Sequence, residues 1–251
     1  MGVGVTDFIK IDEVRRELDS NYPRPDIDVD ADLQVEHGSH SHRLTGVAFD
    51  YLCRYWLSYR CEEVVDPDQS RRRSFHTGRG RIFSWEDDAD ELDTKFEVAD
   101  KKKKRFIETG MNADQAIEAA LFYAGWKTDK EPSSIDLDSF NDDLVDEIQE
   151  LFHALREQDW TSGETTILAP NFGRRSHILE GEADFIVDDM LVDIKTTENA
   201  VFTKERWRQI FTYFLLNNVN NVLLREVYDR ESDYPELSEI GLYFARHGEL
   251  V

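Results

Sequence analysis

Cysteine is nearly absent, with only Cys53 and Cys61 in 251 residues. Eight positions apart in a helical pattern, they would share a face yet sit about two turns apart, too far for a disulfide. Neither belongs to a CxxC pair, which argues against a zinc or iron–sulfur site built on cysteine. Two half-buried thiols in a reducing compartment are expected instead. Long apolar runs are missing too: none approaches the roughly 18–20 residues that a membrane span needs. The start, MGVGVTDFIKIDEVRREL, carries acids early and has no long apolar h-region, so no signal peptide is expected. A soluble, cytoplasmic protein without a membrane partner is the expectation. Positive charge is scarce as well, since Lys and Arg total 30 against 53 Asp and Glu, a net −23. That surplus repels a phosphate backbone at long range. Either the surface is salt-adapted, with ionic strength screening the repulsion, or nucleic acid is not the partner.

What is present is enough apolar and aromatic residue for one good core with a helical annex. Residues 1–20 suggest a short helix (Phe8, Ile11, Val14, Leu18), followed by the Pro- and Asp-rich connector NYPRPDIDVDADL. From Leu44 to about Glu62 apolar residues recur at helical spacing, and residues 66–81 read as a loop. Between Ser84 and Trp160 the pattern is helical almost throughout. Ser84, Asn112 and Ser139 are placed to start helices and Gly110 to end one. After Gly163 the character changes. TTILAP, HILEGEADFIV and MLVDIKTT are β-like, RWRQIFTYFLLN is helical, and NVLLREVYD and EIGLYFARHG read as two more strands. The chain contains no internal repeat, and KKKK at 101–104 reads as part of a solvated helix end.

The strands around Asp188-Asp189 are the informative part. In a hairpin centred there, residues whose numbers sum to 377 face each other, which sets Asp184 opposite Asp193 and Glu182 opposite Lys195. Strand alternation then turns Asp184, Asp193, Lys195 and Glu182 to one face. Ala183, Phe185, Val187, Met190, Val192 and Ile194 form an apolar set on the other. Facing carboxylates repel unless something neutralises them, and a divalent cation does so. Mg²⁺ takes one or two carboxylates with waters and substrate phosphate, and the Ile194 carbonyl could add an oxygen. Lys195, on the same face, could position an attacking water or stabilise developing charge. That assembly suits phosphodiester hydrolysis. A plain acidic face on an edge hairpin, with one salt bridge, is the other reading.

Gln209 and Tyr213, four apart on the following helix, project from one side. In order, the chain reads Gly181-Glu182-Ala183-Asp184, then Asp193-Ile194-Lys195-Thr196, then Gln209-Ile210-Phe211-Thr212-Tyr213. This resembles the PD-(D/E)xK nuclease superfamily in its RecB-like branch, which shows G-x-x-D, a strand with (D/E)-x-K, and a helix with Q-x-x-x-Y. The resemblance covers residues 164–246 well and 44–62 loosely. It implies Asp184 and Asp193 as ligands of Mg²⁺ (or Mn²⁺) and Lys195 as the catalytic lysine. Gln209 and Tyr213 become the pair that orients lysine, water or nucleic-acid backbone. The branch often carries G-x-x-x-H on an upstream helix; the counterpart here is Gly46 to Asp50, with Asp50 in the histidine's place as a further candidate ligand. Its iron–sulfur variants need four cysteines, which this chain lacks.

The resemblance further implies an α/β restriction-endonuclease-like core, with a mixed sheet of about five strands flanked by helices and an N-terminal helical region. The expected layout is an N-terminal extension over 1–43 and one nuclease-like domain over 44–251, with a helical insertion at about 84–160. The expected activity is metal-dependent hydrolysis of DNA phosphodiesters in repair, recombination or defence. A catalytically silent nucleic-acid-binding or protein-interaction module that retains the fold is the alternative, with a protein partner in a complex. Arg71, Arg72, Arg73, Arg79 and Arg81 form an acid-free, glycine-punctuated loop suited to phosphate contact. Arg174 and Arg175 could line the cleft mouth. His37, His40 and His42 cluster in a polar loop without metal-binding spacing.

Overall fold

The computed structural model describes residues 3–38, 41–66, 86–128 (86–92 as backbone), 140–172, 179, 181–229 and 234–251. Among these, the chain runs through α1 (Val5–Phe8), α2 (Asp12–Asn21), α3 (His42–Arg60), β1 (Glu63–Val65), α4 (Glu86–Thr109), α5 (Ala113–Thr128) and α6 (Asp142–Arg156). It continues through β2 (Thr165–Leu168), β3 (Phe185–Val187), β4 (Met190–Lys195), α7 (Lys204–Glu226), β5 (Glu239–Phe244) and β6 (Glu249–Leu250). The six strands form one mixed sheet in sequence order. β2, β3 and β4 are an antiparallel meander, α7 crosses over, and β5 returns parallel to β4. β1 adds parallel to β2 at one edge and β6 antiparallel to β5 at the other. These two short edge strands escape a pattern search because neither is long enough to show alternation.

The hairpin register is the expected one: Phe185 faces Val192, Ile186 faces Leu191 and Val187 faces Met190. Its two faces are not as expected. Phe185, Val187 and Val192 pack toward α3 with Leu168 and Tyr243. Ile186 and Leu191, on the opposite face, are also fully buried, in a second core with Ile167, Leu242, Ile210 and Leu216 under α7. A parallel crossover lays a helix on that side, so the strands are apolar on both faces and polar residues survive only at their ends. Ala183 joins this second core rather than the first, because the chain bends at Asp184 and breaks the alternation.

α3 is buried nearly all round, with Ala48, Phe49, Leu52, Cys53, Tyr55, Trp56 and Leu57 inside. It lies between the sheet and the helices α5 and α6, and the small Ala116, Ala119 and Ala120 of α5 let the two axes approach. Both cysteines are buried and free, deeper than the half-burial expected. Gly110 ends α4 as its position suggested, with φ of 65° and its N–H on Phe106 O. The lysine run sits inside α4 rather than at a solvated end, with Lys102 paired to Glu118 and Lys103 against the rings of Tyr55 and Tyr123. α6 is capped by Asn141, whose side chain accepts from Asp143 N. Ser84 and Ser139 lie outside the described residues.

The segment NVLLREVYD is not a strand, since α7 continues through it to Glu226. The asparagine amides of α7 find partners outside the helix: Asn217 and Asn221 donate to Pro235 O, and Asn220 to Phe172 O. Tertiary bonds thus remove the competition with the backbone that normally costs asparagine its place in a helix. The N-terminal residues lie across α7. Asp19 forms a two-point ion pair with Arg208, Trp207 donates to Tyr22 O, and Arg24 donates to Phe202 O. The N–H groups of Gln34 and Val35 then reach Arg246 O just beyond β5. No helix among the described residues is long and apolar enough to cross a membrane.

Candidate metal centre

The carboxyl end of β4 carries Asp193, Ile194 and Lys195, and residues 196–203 lead from there into α7. Thr203 caps that helix, its hydroxyl accepting from Arg206 N. The first turns of α7 therefore lie over the strand end they came from. Gln209 and Tyr213 fall one turn apart on the side that meets it.

Contact follows the order of the motif. Lys195 Nζ is ion-paired with Asp193 Oδ2 and donates to Gln209 Oε1 at 3.4 Å. Gln209 Nε2 donates in turn to the Tyr213 hydroxyl at 3.2 Å. Burial, opposed by the Gln209 contact, raises the Tyr213 hydroxyl to about 12, so it keeps its own proton. Gly181 closes the arrangement, since a Cβ there would lie 2.9 Å from Val5 Cγ2 and 3.3 Å from the Tyr213 ring. The glycine of the motif is there for clearance. Gly181→Ala is expected to destabilise the fold by about 1–3 kcal/mol through overpacking, read as a lower urea midpoint with an unchanged slope. An unchanged midpoint would mean that Val5 and Tyr213 yield freely.

Asp184 sits just ahead of β3, at the bend, and its Oδ2 accepts from Ile194 N at 2.6 Å. Burial pushes its carboxyl up to about 8, aided by the charges of Asp193 and Asp50 and opposed by the Ile194 N–H and Lys195. Asp193 is 4% exposed, and its Oδ2 is held by the Lys195 ammonium. α3 brings Asp50 to the same end of the sheet. Gly46 makes that approach possible, since a Cβ there would lie 3.1 Å from Thr196 Oγ1. Asp50 itself is held by Arg54, whose Nε and NH2 reach the two carboxylate oxygens at 3.2 and 2.7 Å. Burial opposes the charge on Arg54, but the Asp50 pair and the nearby Asp184 hold its proton more tightly than usual.

Among the described residues no group of three or more His, Cys, Asp or Glu side chains could hold a metal ion. The pair Asp184 and Asp193 still fits an ion of the Mg²⁺ type, which needs only one or two carboxylates and fills its shell with water and substrate oxygen. A raised Asp184 carboxyl and the Asp193 carboxylate beside one ammonium form a donor set with room for further positive charge. Ile194 meets the site through its backbone.

Two residues that the motif did not flag belong here. Arg54 is four positions after Asp50, a spacing that could have shown it. Arg206, three before Gln209, donates to Val201 O and Thr197 Oγ1, lies over the Phe244 ring and feels the charge of Asp193. Arg71, Arg72, Arg73, Arg79, Arg81, Arg174 and Arg175 lie outside the described residues, as does His40. His37 and His42 touch each other, and His37 contacts Glu147. No family model matches this chain, and searches of curated proteins and of solved structures return no match.

Proposed function

We propose that this chain is a divalent-metal-dependent nuclease of restriction-endonuclease-like fold that hydrolyses DNA phosphodiester bonds. The observation that supports it is the unbroken side-chain path from Asp193 through Lys195 and Gln209 to Tyr213, with Asp184 alongside and Gly181 beneath. These are the pieces of the RecB-like pattern, separate in sequence and contiguous in space.

Asp184 and Asp193 would hold Mg²⁺ or Mn²⁺, which supplies Lewis-acid polarisation of the phosphodiester and water activation. Lys195 keeps a cationic Nζ at that position, where it orients an attacking water and stabilises the charge gathering on phosphate oxygen. Gln209 fixes Lys195, because its amide oxygen takes one ammonium hydrogen while its amide nitrogen is tied to Tyr213. Apolar packing on both faces of β3 and β4 confines water to the strand ends.

A purified chain should cut single-stranded, double-stranded or branched DNA with Mg²⁺ or Mn²⁺ and stop when EDTA is added. Failure on every substrate with both metals defeats the proposal. The net charge of −23 favours a second reading, a module that acts on nucleic acid only inside a protein complex; it gives no cleavage alone and recovers it with the partner.

The raised Asp184 carboxyl makes a further claim testable. Below about pH 8 it holds a proton that an incoming cation must displace. Mn²⁺ affinity, measured by calorimetry, should climb by up to about tenfold per unit from pH 6 to 8 and flatten above. Without cation the sign is opposite: the folded state binds more protons than the unfolded one between the ordinary carboxylate range and 8, so stability falls as pH rises through that window. A flat affinity profile from pH 6 to 8 would remove Asp184 from the ligand set.

A further inference from the structure

Asp50 stands where a third metal ligand would be expected, yet both its oxygens are taken. Arg54 grips them as a two-point fork at 3.2 and 2.7 Å, with the two side chains only 17% and 10% exposed. A charge-assisted fork withdrawn from water is among the stronger side-chain pairings, and the Tyr51 ring 5.7 Å from the guanidinium limits where Arg54 can go. The charge balance points the same way. With Asp184 deprotonated, as binding a cation requires, Asp50, Asp184 and Asp193 are offset by Arg54 and Lys195, leaving one negative charge. Glu182, which acts on Tyr213, and Arg206, which acts on Asp193, flank the group and cancel. One divalent cation turns the balance to plus one, which a single phosphodiester charge neutralises. A second divalent cation would leave a large positive excess.

Building on the nuclease reading, we infer that Arg54 is a built-in counter-cation that keeps Asp50 out of coordination, so that the centre takes one divalent cation, held by Asp184 and Asp193. Arg54 is a positioning residue: it neutralises Asp50 and leaves Asp184 and Asp193 to take the ion. The inference departs from a pattern in which the upstream helix supplies a ligand.

The test is titration with Mn²⁺ alone, by calorimetry and by electron paramagnetic resonance, with thermal melting as the check on folding. Wild type should bind one ion. The double variant Asp50→Asn/Arg54→Met replaces a buried ion pair by a neutral pair of similar size, a change that folds often tolerate. It should still bind one ion, with an affinity within about threefold of wild type. Arg54→Met alone frees the Asp50 carboxylate and should bind Mn²⁺ at least about tenfold more tightly, or admit a second ion. Two ions in wild type, or a loss of more than about tenfold in the double variant, the scale of losing a supporting group, overturns the inference. The outcomes are separable: no Mn²⁺ binding by wild type at pH 8 defeats the nuclease reading itself, whereas one ion that depends on Asp50 defeats only the role given to Arg54.

Discussion

Lys195→Ala is expected to lower Mg²⁺-dependent DNA cleavage on the order of 10³-fold, the upper range for removing one preorganised charge-stabilising group. The size follows from placement. The ammonium is mostly buried and held between Asp193 and Gln209, so no water or mobile side chain can take over its position at little cost. Asp193→Asn should fall as far, because it removes a ligand charge and the ion pair that holds Lys195. Lys195→Gln separates charge from shape: it retains polar contact with Gln209 without the cation and should be as inactive as the alanine variant. Initial cleavage rates under single-turnover conditions, with melting curves to show that each variant is folded, decide the matter. If folded Lys195→Ala and Asp193→Asn cut at the wild-type rate, any activity of this chain resides elsewhere.

The second large effect is on stability. Arg246→Ala should cost about 3–5 kcal/mol of folding free energy, the penalty for breaking a buried pair by removing one partner. Arg246 and Glu147 are both fully withdrawn from solvent and paired with each other. The same guanidinium donates to Thr196 O at 2.8 Å, to Glu36 O at 3.0 Å and to Val35 O at 3.3 Å. One side chain thus ties the N-terminal arm, α6 and the exit of β4 together. Its loss takes the buried cation from beside the Glu147 carboxylate and the donor from three carbonyls. Because Thr196 follows Lys195, the variant should also bind Mn²⁺ less tightly at temperatures where it remains folded. The double variant Glu147→Leu/Arg246→Met, apolar throughout, should recover most of the stability. Urea unfolding of the three proteins measures this, and a loss under about 1 kcal/mol for Arg246→Ala would show that the pair is not a structural tie.

The parts of this molecule legible in sequence are those that depend on short spacing. The register of β3 on β4 followed from one turn, and the placement of Gln209 and Tyr213 on one side of α7 from helical periodicity. What escaped depends on partners remote in the chain. Ile186 and Leu191 looked like the reverse side of a half-exposed hairpin until α7 was laid over them. NVLLREVYD looked like a strand because Pro235 and Phe172, which accept from the asparagines of α7, lie outside any local window. Arg246 was covered only by the strand reading of EIGLYFARHG, and its partner Glu147 is far away on α6. Arg54 is the exception, since its spacing from Asp50 was readable, yet an ion pair on a helix face is common enough to pass as solvated.

Strand β1 carries a consequence for how the chain reaches this state. Glu63 lies opposite Thr165, and between them the chain builds α4, α5 and α6. The entropy of closing so long a loop grows only slowly with length, but contacts this distant in sequence slow the search for them. We expect the helices between the two partners to form on their own short-range contacts, with β1 docking afterwards as one of the last steps. A three-residue strand at the sheet margin also offers little template for pairing with another chain. The edge that joins last is therefore a poor seed for aggregation while it waits.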